Sequence, residues 1–457
     1  MMDFIYDDQN LRVAIERFVE QIPLDIWPPK KLSSAIRCLA SQMPTLVFCF
    51  FFVLLAIMSS KNYWFNLTDI FGYCLTDWAI SYADGFVRRG LSGEVILWIC
   101  EQTGYSFASI TAIIAVICNL IFTATVAALV YPLRNNHWAW LLIYGPGSFA
   151  VGMSTKNMYG HKDVLLLALA GVLFFGTVRF VGMVRTVWVL SCLALTIPLV
   201  LSHEGYMIFL PILFVSLSSL KLTRPVIGAS LLIMIGLAGA ALISIKFSGT
   251  FAQRDAIIDA FFNVMPYQYS IRPFDQYVAF WYLGQSISDT LAFVTPRNAI
   301  SMPQLPGALM LSFGQLIIAA KMLHVGKFFS DPKGKICAGL IFLSCLLLAL
   351  LMTFIIDWTR FFVIMNMLIT LAVIMRIRLI GEDTLSLLPG AKWSEQSESL
   401  RFTITVTLIA AFFLLKPGKV SPDLIHFGWK DVLAVVLIAL IAHCRPTSTQ
   451  PLKTNES

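Results

Sequence analysis

The chain is short of charge. Of its 457 residues only 13% are Asp, Glu, Lys or Arg, where soluble domains carry about 25%. That deficit excludes an ordinary water-dissolved fold. Gly 27 and Pro 20 are too few for a collagen-like or low-complexity chain. Nine cysteines form no CxxC pair and no disulfide framework, and six of them (Cys49, Cys118, Cys192, Cys337, Cys345, Cys444) sit within or at the ends of apolar runs as small hydrophobes. No GxxxxGK[ST] phosphate loop, no GxGxxG after a strand and no HExxH zinc helix occurs, which disfavours a nucleotide-driven pump. No internal repeat is visible. The acidic start MMDFIYDDQN lacks the basic flank and immediate apolar core of a signal peptide, so none is expected to be cleaved.

What the sequence has is apolar surface: 58% AVILMFWYC and a mean hydropathy of +0.78. Twelve apolar runs approach the length a span requires. They lie near 43–59, 106–130, 138–153, 164–178, 187–201, 205–220, 225–245, 306–323, 336–356, 361–375, 402–415 and 429–444. The close pair within 187–220 reads as a helical hairpin or a broken helix. With the N-terminus inside, most of the 33 cations fall on the cytoplasmic side in short basic flanks. The same placement argues against nucleic acid as the reason for the net charge of +7. The expected fold is therefore all-α, a polytopic transmembrane bundle of about twelve spans with both termini cytoplasmic. Residues 1–42 form a cytoplasmic segment, 43–444 the transmembrane domain and 445–457 a disordered tail. Within the first segment, Leu11, Ile15, Phe18 and Ile22 share one face of an amphipathic surface helix.

Two loops on the outer side are long, about 60–104 and 246–305, and loops of that length in a compact bundle usually carry function. Val95, Ile96, Trp98 and Ile99 suit a helix lying along the membrane surface in the first; the second is rich in aromatics. The polar motifs fall on the same side: Asp84 to Gly90 (DGFVRRG), Lys156 to Asp163 (KNMYGHKD), Ser202 to Gly205 (SHEG), Arg272 to Asp275 (RPFD) and Asp357 to Arg360 (DWTR). Taken singly, each has a structural reading: an ion pair across a turn, a charged end of a span, an i, i+3 pair between Asp357 and Arg360. Together, five connections bring carboxylates, imidazoles and cations to one face, whereas the cytoplasmic loops carry almost no carboxylates. Adjacent Arg88 and Arg89 between glycines offer forked donors matched to phosphate oxygens. Ionisable His203 and Glu204, placed between two apolar runs, are costly near a bilayer and are functional candidates by default. His161, His203, Asp163 and Glu204 are of metal-ligating type, but no spacing within one helix requires a metal.

A first span, a long outer loop with an acidic residue and a surface helix, then many spans whose outer turns carry Lys, His, Glu and Arg: this layout resembles the C-type membrane glycosyltransferases over perhaps the first seven spans. It is also similar to bacterial polysaccharide and O-antigen polymerases. The resemblance implies a polyprenyl-phosphate- or diphosphate-linked sugar donor, a glycan or lipid acceptor, no nucleic acid, and work on the outer face of a bacterial inner membrane in cell-envelope assembly. It implies Asp84 as the base that deprotonates the acceptor, and Arg88, Arg89, Lys162 and Arg360 as cations for the lipid phosphate; Glu204, expected near the bilayer boundary where burial raises a carboxyl towards neutrality, is the reserve base. His161, Asp163, His203, Arg272 and Asp357 complete the candidate set. The first loop carries spaced Asp69, Asp77 and Asp84 in place of a paired acidic motif, which leaves open the base and a divalent cation; no other cofactor is expected. The competing class is a transporter or flippase of a lipid-linked or anionic solute, which would hold ions on broken helices near the bilayer midplane.

Overall fold

The computed structural model describes residues 34–68, 73–134, 160–265, 278–281, 283–285, 329–351 and 358–380, with single residues at 288, 292 and 326. The chain divides into two units, Met1–Cys49 and Phe50–Ser457. Of the first, only the start of one helix is described; the second holds everything discussed below. The apolar runs at 138–153, 306–323, 402–415 and 429–444, the amphipathic 10–22 segment and the tail lie outside the described residues.

All thirteen described α-helices follow the apolar runs or the outer loops. They are α1 Ser34–Thr68, α2 Tyr73–Trp78, α3 Gly90–Thr103, α4 Phe107–Val130, α5 Asp163–Arg179, α6 Gly182–Ala194, α7 Thr196–Ser202, α8 Leu210–Phe214, α9 Arg224–Lys246, α10 Phe251–Asn263, α11 Val278–Trp281, α12 Pro332–Leu351 and α13 Trp358–Ile380. Among the described residues, six helical stretches are long and apolar enough to cross a membrane: Phe48–Thr68, Phe107–Leu133, Gly182–Ser202, Arg224–Lys246, Pro332–Leu350 and Arg360–Ile380. The protein is a helical membrane protein. A stretch of 21 residues spans about 31 Å, close to the hydrocarbon thickness of a bilayer.

Local chemistry sets the helix ends. The Ser106 hydroxyl caps α4 by accepting from the Ser109 amide at 3.3 Å, and Thr250 with Gln253 closes a capping box on α10. Gly104 ends α3 in the left-handed conformation, its N–H donating to the Cys100 carbonyl. Between spans, small residues and buried amides make the contacts that lipid cannot supply. Gly171 lets α5 approach Thr125 of α4 so closely that a Cβ would stand 2.3 Å from its hydroxyl oxygen. The Asn119 amide donates to the hydroxyls of Ser59 and Ser60 at 2.8 and 3.0 Å, joining α4 to α1.

Helix α13 is the central element: 83% of its span is buried, against 22–39% for the other five. Its two ends differ in chemistry. At the later end Arg376 donates to Asp331, and Arg378 donates to the carbonyls of Ala128 and Leu129 at 3.4 Å. At the earlier end stands Arg360, 16 residues or about 24 Å away along the helix, among the polar motifs described next.

The 187–220 region is a broken helix. Helix α6 turns at Leu195 into α7, α7 stops at His203, and a 3₁₀ turn Glu204–Phe209 precedes the short α8. This break puts two ionisable residues where the backbone is irregular.

Candidate functional site

Arg89 is the hub. It is the N-cap of α3 and, among the described residues, the only non-glycine with positive φ, at 66°. A β-carbon in that conformation costs of order 1 kcal/mol and is kept where surroundings over-determine it. Here they do. Gly90, next in the chain, packs so tightly that a Cβ would lie 2.3 Å from the Tyr82 ring, and at Gly93 one turn on it would lie 2.0 Å from the Ile80 carbonyl oxygen. The Tyr82 amide donates to Glu94 at 3.0 Å, the Arg88 amide to the Phe247 carbonyl at 2.8 Å. The DGFVRRG turn is therefore clamped between the start of α3 and the end of α9.

That clamp aims the Arg89 guanidinium at the helix break. Its Nε donates to both Glu204 oxygens at 3.0 and 2.8 Å, and Nη2 donates to Oε1 at 2.7 Å. Its Nη1 stands 3.8 Å from Asp77 Oδ1. Arg89 and Glu204 keep 19% and 23% side-chain exposure, whereas Asp77 keeps 2%. Lys162 is completely buried, and its Nζ donates to the carbonyls of Arg89 and Ser202 at 3.0 and 3.2 Å. It thus stitches the turn that carries Arg89 to the helix end that precedes Glu204.

A second buried group adjoins the first. Arg360 pairs with Asp163 at 3.2 Å, both buried, and also meets His161 Nδ1. Arginine can only donate, so Nδ1 accepts and the imidazole proton sits on Nε2, which faces Cys74 Sγ at 3.6 Å. Trp78 Nε1 donates to the Gly160 carbonyl at 2.7 Å, tying α2 to this turn. His203 Nδ1 accepts from the Gly205 amide, and its ring stacks on Tyr206 with centroids 4.9 Å apart.

Burial and charge act together on these groups. Desolvation pushes Lys162 down to about 8, with Arg89 adding to the shift and Asp77 and Glu204 opposing it. It pushes His203 down to about 3, assisted by Arg89, and holds His161 well below its usual value with help from Arg360. Both histidines are neutral. For Asp77 burial alone would raise the carboxyl, but Lys162, His203, Arg89 and His161 outweigh it and hold it low. Glu204 is likewise raised by burial and brought down by Arg89, whose charge and hydrogen bonds dominate.

Of the residues singled out in the sequence, the structure brings together Arg89, His161, Lys162, Asp163, His203, Glu204 and Arg360. Arg88 is half-buried and close enough to lower Glu204. Asp84 is exposed at the tip of the turn, where its carbonyl accepts from Gln253 Nε2 at 2.9 Å, joining this turn to α10. Arg272 and Asp357 lie outside the described residues. Two further members were not singled out as candidates. Asp77 lies at the centre, and Tyr206 is buried beside it; Asp77 Oδ1 and the Tyr206 hydroxyl have no hydrogen-bond partner among the described residues. Unsatisfied buried polar atoms of this kind call for a functional account. Among the described residues no group of three or more His, Cys, Asp or Glu is placed to hold a metal ion.

Compared with family models, curated proteins and solved structures, the chain matches none.

Proposed function

We propose that the protein is a membrane glycosyltransferase that takes a sugar from a polyprenyl phosphate or diphosphate at the non-cytoplasmic face of a bacterial inner membrane, for cell-envelope polysaccharide or glycolipid assembly. One observation carries the reading: a nearly apolar helix bundle gathers Asp77, Arg89, Lys162, His203 and Glu204 at one end of its central helix. Glycosyl transfer from a lipid phosphate needs a carboxylate in reach of the acceptor hydroxyl and positive charge where the leaving phosphate gains electrons. Asp77 suits the base better than Asp84, since its Oδ1 is held within the cluster and, among the described residues, has no hydrogen bond to give up. Arg88 and Arg89 are the cations with solvent access and suit the phosphate. Lys162 and Arg360 are buried against protein acceptors and act behind them.

The broken helix at His203 and Glu204 favours a second reading, a transporter or flippase of a lipid-linked or anionic solute, because transporters bind ions at such breaks. The two are separated by one assay. Protein in nanodiscs, given a panel of radiolabelled polyprenyl-phosphate sugars and deacylated glycan acceptors, should release polyprenyl phosphate and label the acceptor. Movement of intact lipid-linked sugar across proteoliposomes without cleavage would instead favour transport.

A further inference from the structure

The lipid-phosphate reading raises a difficulty at Arg89: the guanidinium edge that a phosphate would take is already filled. Nε and Nη2 of Arg89 grip both oxygens of Glu204, and planar guanidinium binds one carboxylate or one phosphate across that fork, not both. We propose that Glu204 is the resting occupant of a phosphate site formed by Arg88 and Arg89, and that a phosphate-bearing polyprenyl headgroup binds by exchange, displacing the Glu204 carboxylate from Arg89.

Three features support exchange over a permanent ion pair. First, access: Arg89 and Glu204 retain about a fifth of their side-chain exposure, while Lys162, Asp163 and Arg360 are buried. A ligand from solution or lipid meets the Arg89–Glu204 pair first. Second, unequal anchoring: Arg89 is fixed by its left-handed backbone, by Gly90 against Tyr82 and by Lys162 on its carbonyl. Glu204 begins a 3₁₀ turn immediately after a helix stop, and such turns have poorer hydrogen-bond geometry than an α-helix. The carboxylate is the partner able to leave. Third, charge: Arg88 flanks Glu204 alongside Arg89, and Lys162 stands behind Arg89. A phosphate monoester or a diphosphate carries more negative charge than the side chain it replaces and gains more from these cations.

Exchange predicts a sign that other roles for Glu204 do not. If Glu204 binds substrate or holds the fold, its loss weakens ligand binding; if it competes for Arg89, its loss strengthens binding. The inference rests on the lipid-phosphate reading, and the test separates the two. Full-length wild type, Glu204→Gln and Arg89→Gln in phosphatidylcholine nanodiscs are titrated with farnesyl phosphate and, separately, inorganic phosphate. Glu204→Gln should bind farnesyl phosphate about fivefold more tightly than wild type, the scale of releasing one partly exposed ion pair, and Arg89→Gln should lose most binding. Tightening with inorganic phosphate as well means that the headgroup alone is read; tightening with farnesyl phosphate only means that the prenyl chain is needed to reach the site. Equal or weaker binding by Glu204→Gln, with wild-type binding intact, overturns the exchange and leaves the donor reading standing. Absence of farnesyl phosphate binding in all three proteins overturns both. In case Glu204→Gln fails to fold, amide hydrogen exchange of the wild type supplies the second measurement. Farnesyl phosphate should speed exchange over Glu204–Phe209 while slowing it over 85–90, and protection of both segments overturns the proposal.

Discussion

The buried ammonium of Lys162 donates to the carbonyl of Arg89 at 3.0 Å, and Arg89 is the residue held in the left-handed region. A cation without solvent access therefore braces the backbone that aims the exposed cation at Glu204.

Removing that brace should cost stability and geometry together. Lys162→Met keeps length and apolar volume but removes the hydrogen bonds to the Arg89 and Ser202 carbonyls and takes one cation from buried Asp77. Breaking one partner of a buried charged network commonly costs about 3–5 kcal/mol. The thermal midpoint in detergent should fall by several degrees, and phosphate binding at Arg89 should weaken although Lys162 touches no ligand. A variant with unchanged midpoint and unchanged binding would show that the brace is idle.

The same residues set a pH dependence. Lys162 titrates at about 8 in the folded protein against 10.5 when unfolded, so between these values the unfolded chain holds more protons and stability rises with pH. His203, at about 3 against 6.5, acts likewise lower down: stability falls as pH drops below 6.5. His161 has the same sign, and Asp77 and Glu204, held below their usual values, add theirs below about pH 4. Melting midpoints from pH 4 to 10 should climb on both limbs, and Lys162→Met should flatten the alkaline one. A wild-type maximum near pH 7 with loss of stability up to pH 10 contradicts this assignment.

Glycines at the site are tested by the space a methyl group would need. Gly93→Ala forces a Cβ to 2.0 Å from the Ile80 carbonyl oxygen, backbone that cannot swing aside, whereas a Cβ at Gly239 meets nothing within 4 Å. Gly93→Ala should lower the melting midpoint by several degrees, a cost of about 1–3 kcal/mol or more for overpacking. Gly239→Ala should be neutral or slightly stabilising through helix propensity. Equal midpoints for the two would mean that α3 is not seated on the 78–80 backbone.

Hydropathy located helices well where the chain is uniformly apolar: the run at 106–130 is α4, Phe107–Val130, and that at 225–245 is α9, Arg224–Lys246. It cut α1 short. The run ends at 59, yet the helix continues to Thr68 because its polar residues bond within it, Ser59 to the Leu55 carbonyl and Asn66 to that of Asn62. Charge spacing drew attention to Arg88, Arg89, Lys162, His203 and Glu204, since clustered ionisable residues stand out in an apolar chain. It left Asp77 as one of three spaced first-loop carboxylates and gave no weight to Tyr206, an uncharged residue two places after Glu204. What distinguishes them is burial in a cluster assembled from separate parts of the chain, Asp77 near Lys162 and His203, Tyr206 near Asp163 and Asp77, which no local pattern encodes. The exposure of Asp84 was hidden for the same reason.

The base is the last question, and Asp77 and Asp84 answer it differently. If Asp77 takes the acceptor proton, Asp77→Asn keeps the shape and one acceptor but removes the base, so turnover should fall by about 10²–10⁴ with donor affinity little changed. Asp77 also neutralises Lys162, and a purely structural Asp77 would behave otherwise: its loss would lower stability and weaken donor binding and turnover in parallel. Asp84 is exposed and, among the described residues, is joined to α10 through its main-chain carbonyl and Gln253, so Asp84→Asn should leave stability within about 0.5 kcal/mol, as surface substitutions generally do, and turnover near that of wild type. Donor affinity, single-turnover rate and melting midpoint for Asp77→Asn, Asp84→Asn and Glu204→Gln together decide among them. Near-normal chemistry in Asp77→Asn with a large loss in Asp84→Asn would move the base to the tip of the turn. A loss of chemistry in Glu204→Gln alone would mean that the carboxylate displaced from Arg89 is the one that takes the proton.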